Sequence, residues 1–347
     1  MPLKNHPAMK ALLRIIMFAM ATAAMVWSCK KEPNENGSGV NGEPQPSLRS
    51  SLCYHNIPKI CGMFKFDSWA QYEELYDCLD AENEAYLDSF EAAHSGLNDE
   101  QFNDLADSIG FVDEQTLINF ETFQSFTSYR SVMAAAEATW LAGGADPASD
   151  PDIDNVIDDE IEEAIRTTDG ALWVDGTIYL SDAHGDSWVI PGASCTALDS
   201  ILQGIGNNAY KVVYDDGTLL CNNEQVDYMH HYYDNDKKFI RYKLRWKWGG
   251  YHTVSVAKLK MFRKKNTWRR FRTKIFVKTF GTADTHNGNK CDQVGPYAKQ
   301  KGWKRRCTLR AKNKWNSEHT FETGLAKGQY EFQDASSPLQ HELYYPE

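Results

Sequence analysis

The feature that most constrains this chain is the separation of its charges along the sequence. Residues 66–200 hold 31 acidic residues against only Arg130 and Arg166. Residues 237–314 hold 25 basic residues against only Asp284 and Asp292. The net charge of −11 hides this split. A solvated surface normally intersperses both signs, and like charges packed this densely repel one another. The basic half therefore requires an acidic counterpart, either an external anion or the acidic half of the same chain.

The hydrophobic periodicity changes near the same place. Ser68 with Gln71, and Asn98 with Gln101, have the spacing of helix-capping pairs. Trp69, Tyr72, Leu75, Tyr76 and Leu79 then fall on one helical face, and Phe102 and Leu105 begin another, with Gly110 as its stop. Asp113 is placed to start a helix bearing Leu117, Phe120 and Phe123. Ser128 starts the next, with Val132, Ala136 and Trp140 inward and Gly143-Gly144 at its end. From 171 the period becomes two. Leu172–Leu180 reads as a hairpin turning at Asp175-Gly176, Trp188–Ile190 as a strand, 196–202 as a short helix and 209–221 as a second hairpin.

The clearest strand follows. Ile240, Tyr242, Leu244, Trp246 and Trp248 alternate with Arg241, Lys243, Arg245 and Lys247, giving one apolar and one cationic face. A return strand over 253–262 and another over 268–280 repeat the pattern, the latter carrying Arg270, Arg272 and Lys274. The expected fold class is α+β: an acidic, mainly helical region over 53–205, then a basic antiparallel, sandwich-like β domain over 206–347. The candidate ligand-binding residues are Arg241, Lys243, Arg245, Lys247, Arg270, Arg272 and Lys274. They suit an anionic glycan or a protein partner, nucleic acid being disfavoured, or else docking onto the acidic half.

The N-terminus reads as a lipoprotein signal peptide over 1–28. Lys4, Lys10 and Arg14 precede an uncharged apolar run, Ile15–Trp27, that is too short to span a bilayer. The run ends Val26-Trp27-Ser28-Cys29, which resembles the lipobox of bacterial lipoproteins. That resemblance implies diacylglyceryl attachment at Cys29, so the membrane is a partner through acyl chains. Each buried methylene contributes ~0.8 kcal/mol, and two chains hold where one does not. Residues 29–52 are polar and rich in Gly, Pro and Asn, a flexible tether reaching ~25 Å on average.

Export permits disulfides. Once Cys29 is acylated seven cysteines remain. Short separations favour Cys53–Cys61, Cys291–Cys307 and Cys195–Cys221, leaving Cys78 as a buried free thiol on a helix face. The acids of Asp150-Pro-Asp-Ile-Asp-Asn-Val-Ile-Asp158 alternate as in a calcium loop. Asn155 replaces the turn glycine, however, and Ile161 the bidentate glutamate, so Asp152 or Asp154 is better read as a helix cap. No nucleophile elbow, zinc motif, phosphate loop or dinucleotide fingerprint occurs, and no cofactor or metal is called for. His230-His231 are neighbours on a strand and point to opposite faces. A hydrolase needing only two carboxylates brought together by the fold is the alternative to a binding protein.

Across most of its length the chain resembles the uncharacterised surface lipoproteins of Bacteroidota. The residues that carry this are the lipobox with its Lys-Lys-Glu continuation, Phe66-Asp-Ser-Trp-x-x-Tyr-Glu-x-Leu75, Asp175-Gly-Thr-Ile-Tyr179 and the Trp-rich basic strands. The resemblance implies an outer-membrane location, periplasmic or surface-exposed, and no established activity.

Overall fold

The computed structural model describes residues 53–344, apart from 54, 156, 183–185, 193, 207, 213–222, 249–252, 288–289, 316–320 and 333–338. The segments read as signal peptide and tether, with Cys29, lie outside the described residues. Within 52–347 the chain forms one compact unit.

A short hairpin comes first, β1 (Lys59–Ile60) and β2 (Met63–Phe66). Five helices follow: α1 (Trp69–Ala93), α2 (Asp99–Ile109), α3 (Gln115–Phe123), α4 (Tyr129–Ala142) and α5 (Glu160–Ile165). The chain then returns as β3 (Ala171–Val174), which pairs with β2 in parallel. The helices thus constitute a long crossover between two adjacent strands, and parallel strands require such a connection. β4 (Thr177–Ser181), β5 (Ser187–Pro191) and β6 (Lys211–Val212) complete a six-stranded sheet in sequence order, with α6 (Cys195–Leu202) between the last two. One apolar cluster of this sheet joins Phe64, Phe66 and Leu172 to Tyr72, Leu79, Phe120 and Ile161 of the helices. A second joins Trp173, Ile178, Leu180 and Ile190 to Leu198 and Ile201 of α6.

The capping logic holds at several ends. Ser68 and Ser128 accept from the backbone N–H three residues on, and Asn98 and Gln101 form a reciprocal capping box. Asp175 and Gly176 both have positive φ, as a type I′ hairpin turn demands. Other ends differ from expectation. Glu114, not Asp113, precedes α3, because the Asp113 carboxylate faces Arg272. Asp159, not Asp152 or Asp154, caps α5, accepting from the N–H groups of Ile161 and Glu162.

The basic half is two antiparallel sheets. The first contains β7 (Asn223–Tyr233), β8 (Lys238–Trp248), β9 (Thr253–Lys264) and β10 (Trp268–Arg270), with β13 (Thr308–Trp315) also on β9. The second runs in the order β12 (Lys290–Arg306), β11 (Thr273–Asn287), β14 (Phe321–Phe332) and β15 (Leu339–Tyr344). The strand expected over 268–280 is broken at Phe271-Arg272, where the chain leaves the first sheet for the second; at Cys307 it crosses back. β11 lies against β9 and β13, and β14 against β8 and β9, which makes the pair sandwich-like. Ile240, Tyr242, Leu244, Leu259 and Met261 are the buried apolar residues of β8 and β9. The α+β fold class is as the sequence patterns indicate.

The disulfides overturn the pairing expected from short separations. Cys53 bonds Cys78, and Cys61 bonds Cys195 across 134 residues, each with Cα atoms 5.7 Å apart. Cys78 is therefore not the free thiol. Among the described residues the free thiol is Cys307, and it is buried. Cys221 and the side chain of Cys291 lie outside the described residues.

Candidate functional site: a buried ionic seam

At Arg241, Lys243, Lys258 and Lys260 the cationic face of β8 and β9 is buried. In antiparallel register Arg241 stands opposite Lys260 and Lys243 opposite Lys258, so four cations form a square on one face. Unopposed, such a group would be strongly self-repelling. Carboxylates from α4, the 146–159 segment and α5 neutralise it.

Arg241 is 2% exposed. Its Nη1 donates to Asp150 Oδ1 at 2.9 Å, its Nη2 donates to Glu137, and its Nε stands 3.5 Å from Asp152 Oδ2. Lys243 is 1% exposed. Its ammonium donates to the carbonyl oxygens of Asp152 and Asn155 at 2.6 and 2.8 Å and forms an ion pair with Asp158 Oδ1 at 2.7 Å. Lys258 reaches Asp152 at 3.4 Å and Glu160 at 3.6 Å, and Lys260 reaches Glu137 at 3.2 Å. Arg270 grips Glu137 Oε1 through Nη2 and Nε at 2.8 and 3.1 Å, and Glu114 through Nη1 at 2.9 Å. Arg272 donates to Asp113 at 2.8 Å, while the Asn103 amide bonds both backbone groups of Arg272 at 2.7 Å.

These geometries set the protonation states. Burial pushes the Glu137 carboxyl up, but Lys260, Arg270 and Arg241 together hold it well below the usual carboxylate range. Burial likewise pushes Asp152 up, and Lys258, Arg241 and Lys243 overcome it. Glu163 goes the other way. Burial and the neighbouring Glu160 push its carboxyl up to about 8, against the pull of Lys258 and of the Asn155 amide, which donates to it at 2.9 Å. Glu163 therefore holds its proton at neutral pH among ionised neighbours.

Two further groups complete the seam. His230 Nε2 sits 2.8 Å from Asp150 Oδ2 and 2.6 Å from the Tyr228 hydroxyl, which also donates to Asp150. Trp140 packs edge-on against Phe239 and Phe262, and with Trp268 these form an apolar plug at one end of the charged face.

The binding face expected from sequence is thus not available to an external ligand at Arg241, Lys243 and Arg272, which are buried, nor at Arg270, which is committed to Glu114 and Glu137. Lys274 is exposed. The side chains of Arg245 and Lys247 lie outside the described residues. Of the carboxylates read as a calcium-like run, Asp150, Asp152 and Asp158 hold Arg241, Lys258 and Lys243 instead, and Asp154 is exposed. Among the described residues no cluster of metal-ligating side chains forms, and no helix is long and apolar enough to cross a membrane.

No family model matches the chain, and no curated protein matches it. Among solved structures the chain is similar to a DUF4848 family protein from Bacteroides thetaiotaomicron. The identity is 13% over 84% of this chain and 99% of the other, with a TM-score of 0.19. A likeness this loose carries no inference about activity.

Sequence reasoning missed Glu137. It lies on the α4 face with Tyr129, Arg130, Met133 and Trp140, whereas Val132, expected inward, is 39% exposed. The available signal was the +23 balance of 237–314, since a helix that meets a cationic sheet turns its acids inward. Glu114, Glu137, Asp152, Glu160 and Glu163 share a cavity of about 20 Å³ with Arg130, Arg241, Lys258, Lys260 and Arg270. A cavity of that size admits about one water molecule.

Proposed function

We propose that this chain is a lipid-anchored protein of the cell envelope, held at the outer membrane through Cys29, that acts by binding a partner rather than by catalysis. The anchor rests on the Val26-Trp27-Ser28-Cys29 lipobox and the polar tether behind it. The observation that carries the rest is the occupation of the cationic face by the chain's own carboxylates. An anionic polymer at Arg241, Lys243 or Arg270 would have to displace Glu137, Asp150 and Asp158, which are already bonded there. A protein partner engaging the outer surface requires no such displacement.

Two measurements test this reading. Labelled palmitate should enter the native protein and not the Cys29→Ser variant; labelling of both, or of neither, overturns the anchor. The full chain at low salt should show no retention on a sulfated polysaccharide column that Arg241→Met abolishes. Retention lost specifically in that variant would restore the polymer reading.

The hydrolase alternative draws on Glu163, a buried carboxyl beside Glu160 that keeps its proton, as a general acid would. Its cavity of about 20 Å³ is far below the ~300 Å³ at which ligand pockets begin. Hydrolysis of a polysaccharide or peptide panel, abolished by Glu163→Gln, would favour it over binding.

A further inference from the structure

The described structure contains two disulfides, and both start from the short segment by which the body follows the tether. Cys53 is the first described residue, and Cys61 lies eight residues on, in the turn between β1 and β2. Cys78 lies within α1, and Cys195 is the first residue of α6, so both partners belong to the acidic half. Every residue from Cys61 to Cys195 therefore lies inside one covalent loop. That loop contains the helices α1 to α5 and the strands β2, β3, β4 and β5.

We propose that the Cys61–Cys195 disulfide is a load bypass, carrying tension applied between the membrane tether and the basic β domain around the acidic half instead of through it. The proposal rests on the lipid-anchored reading, because only an N-terminal anchor makes tension enter at the tether. The shortest covalent path from tether to C-terminus runs from Cys53 to Cys61, crosses the sulfur–sulfur bond to Cys195 and continues into the basic half. The 134 residues bridged by that bond are off the path and cannot be drawn out while it is intact. Cys53–Cys78 ties the first described residue to α1 within that loop and leaves the shortest path through Cys61 and Cys195 unchanged.

The arrangement suits the ionic seam. The carboxylates that neutralise Arg241, Lys243, Lys258 and Lys260 are Glu137, Asp150, Asp152, Asp158 and Glu160, and all five lie within the loop. Were α4 or the 146–159 segment drawn out under load, the cations of β8 and β9 would lose their counter-charges together. A bond that excludes those segments from extension preserves the source of the counter-charge even when the β domain is strained. The long separation matters here, since a bridge between near neighbours such as Cys53 and Cys61 would shield only a few residues.

The test is single-molecule extension of the full mature chain, gripped at its two ends, under oxidising conditions and again with dithiothreitol. At ~3.4 Å per extended residue, a loop of 134 residues hides ~450 Å of chain. Complete unfolding of the reduced protein should release about that much more length than the oxidised protein. The Cys61→Ser/Cys195→Ser variant keeps Cys53–Cys78, which spans 25 residues, and should fall short of the reduced value by only ~85 Å without reductant; Cys53→Ser/Cys78→Ser should leave the oxidised value unchanged. Equal released lengths in the oxidised and reduced protein overturn the proposal, as does alkylation of Cys61 and Cys195 in the native protein. The tag-gripped chain needs no lipid, so loss of the palmitate result removes the anchor without altering these lengths.

Discussion

Arg241 Nη1 stands 2.9 Å from Asp150 Oδ1, a contact that joins β8 to a segment 91 residues earlier in the chain. Around that contact the cationic face of one half of the molecule meets the carboxylates of the other, with both partners out of solvent. Buried ion pairs of this kind are expensive to desolvate, so they contribute less to net stability than to specifying which surfaces meet. Breaking one is costly because it leaves the other charge uncompensated.

Arg241→Met should therefore destabilise the protein by about 3–5 kcal/mol, since it strands Glu137, Asp150 and Asp152 with less positive charge. Urea denaturation measures this. Adding Asp150→Asn should recover part of the loss, because it removes one of the stranded charges.

Glu163 gives the stability a definite slope with pH. Its folded carboxyl sits at about 8 against 4.5 for the ordinary group. Below 4.5 both the folded and unfolded chains hold the proton, and the contribution is fully present. As pH rises toward 8 the unfolded chain ionises freely while the folded one does not, so stability is lost through that window at about 1 kcal/mol per pH unit. Glu163→Gln does not titrate and should gain on the native chain steadily between pH 5 and 8 in thermal or urea unfolding. An unchanged gap across that range contradicts the assignment.

Glu137 and Asp152 act in the opposite sense. Their folded carboxyls are depressed, so their contribution is present above the ordinary carboxylate range and is lost as pH falls through it. Acid unfolding should set in below about pH 4, and Asp152→Asn should flatten that limb.

Cys307 lies where the chain crosses between sheets, and burial pushes its thiol up to about 12. It should resist iodoacetamide at pH 8 in the folded protein and react on unfolding in urea, as mass spectrometry of the alkylated peptide will show.

Gly170 has φ +85°, and a Cβ there would lie 2.3 Å from the Ser181 carbonyl oxygen. Gly170→Ala should cost at least ~2 kcal/mol, read as a drop in Tm.

Much of the fold follows from local rules that the sequence states openly. Ser68, Asn98 with Gln101, Ser128 and Gly110 mark helix ends by the hydrogen bonds they supply, and Asp175-Gly176 marks its turn by positive φ. The alternation over 240–248 places Arg241 and Lys243 on the face opposite Tyr242. What sequence cannot state is what stands across from a face. α4 turns Glu137 inward and Val132 outward because its neighbour is cationic, which inverts the usual apolar rule. Phe123, read with the inward stripe of α3, is 52% exposed. The disulfides escaped for a related reason: adjacency in sequence favours Cys53 with Cys61, while the crossover fold brings Cys61 beside Cys195. The candidate site was legible only as two unbalanced charges, whose meeting is a property of the whole fold.

The central claim is that the β8–β9 cations belong to the interior, and amine labelling tests it without altering a residue. Treated briefly in the native state with an amine-acylating reagent and digested, the chain should carry label at exposed Lys264 and Lys265 and almost none at Lys243, Lys258 and Lys260. Labelling of all five at similar rates would contradict the account, because the face would then be open to solvent.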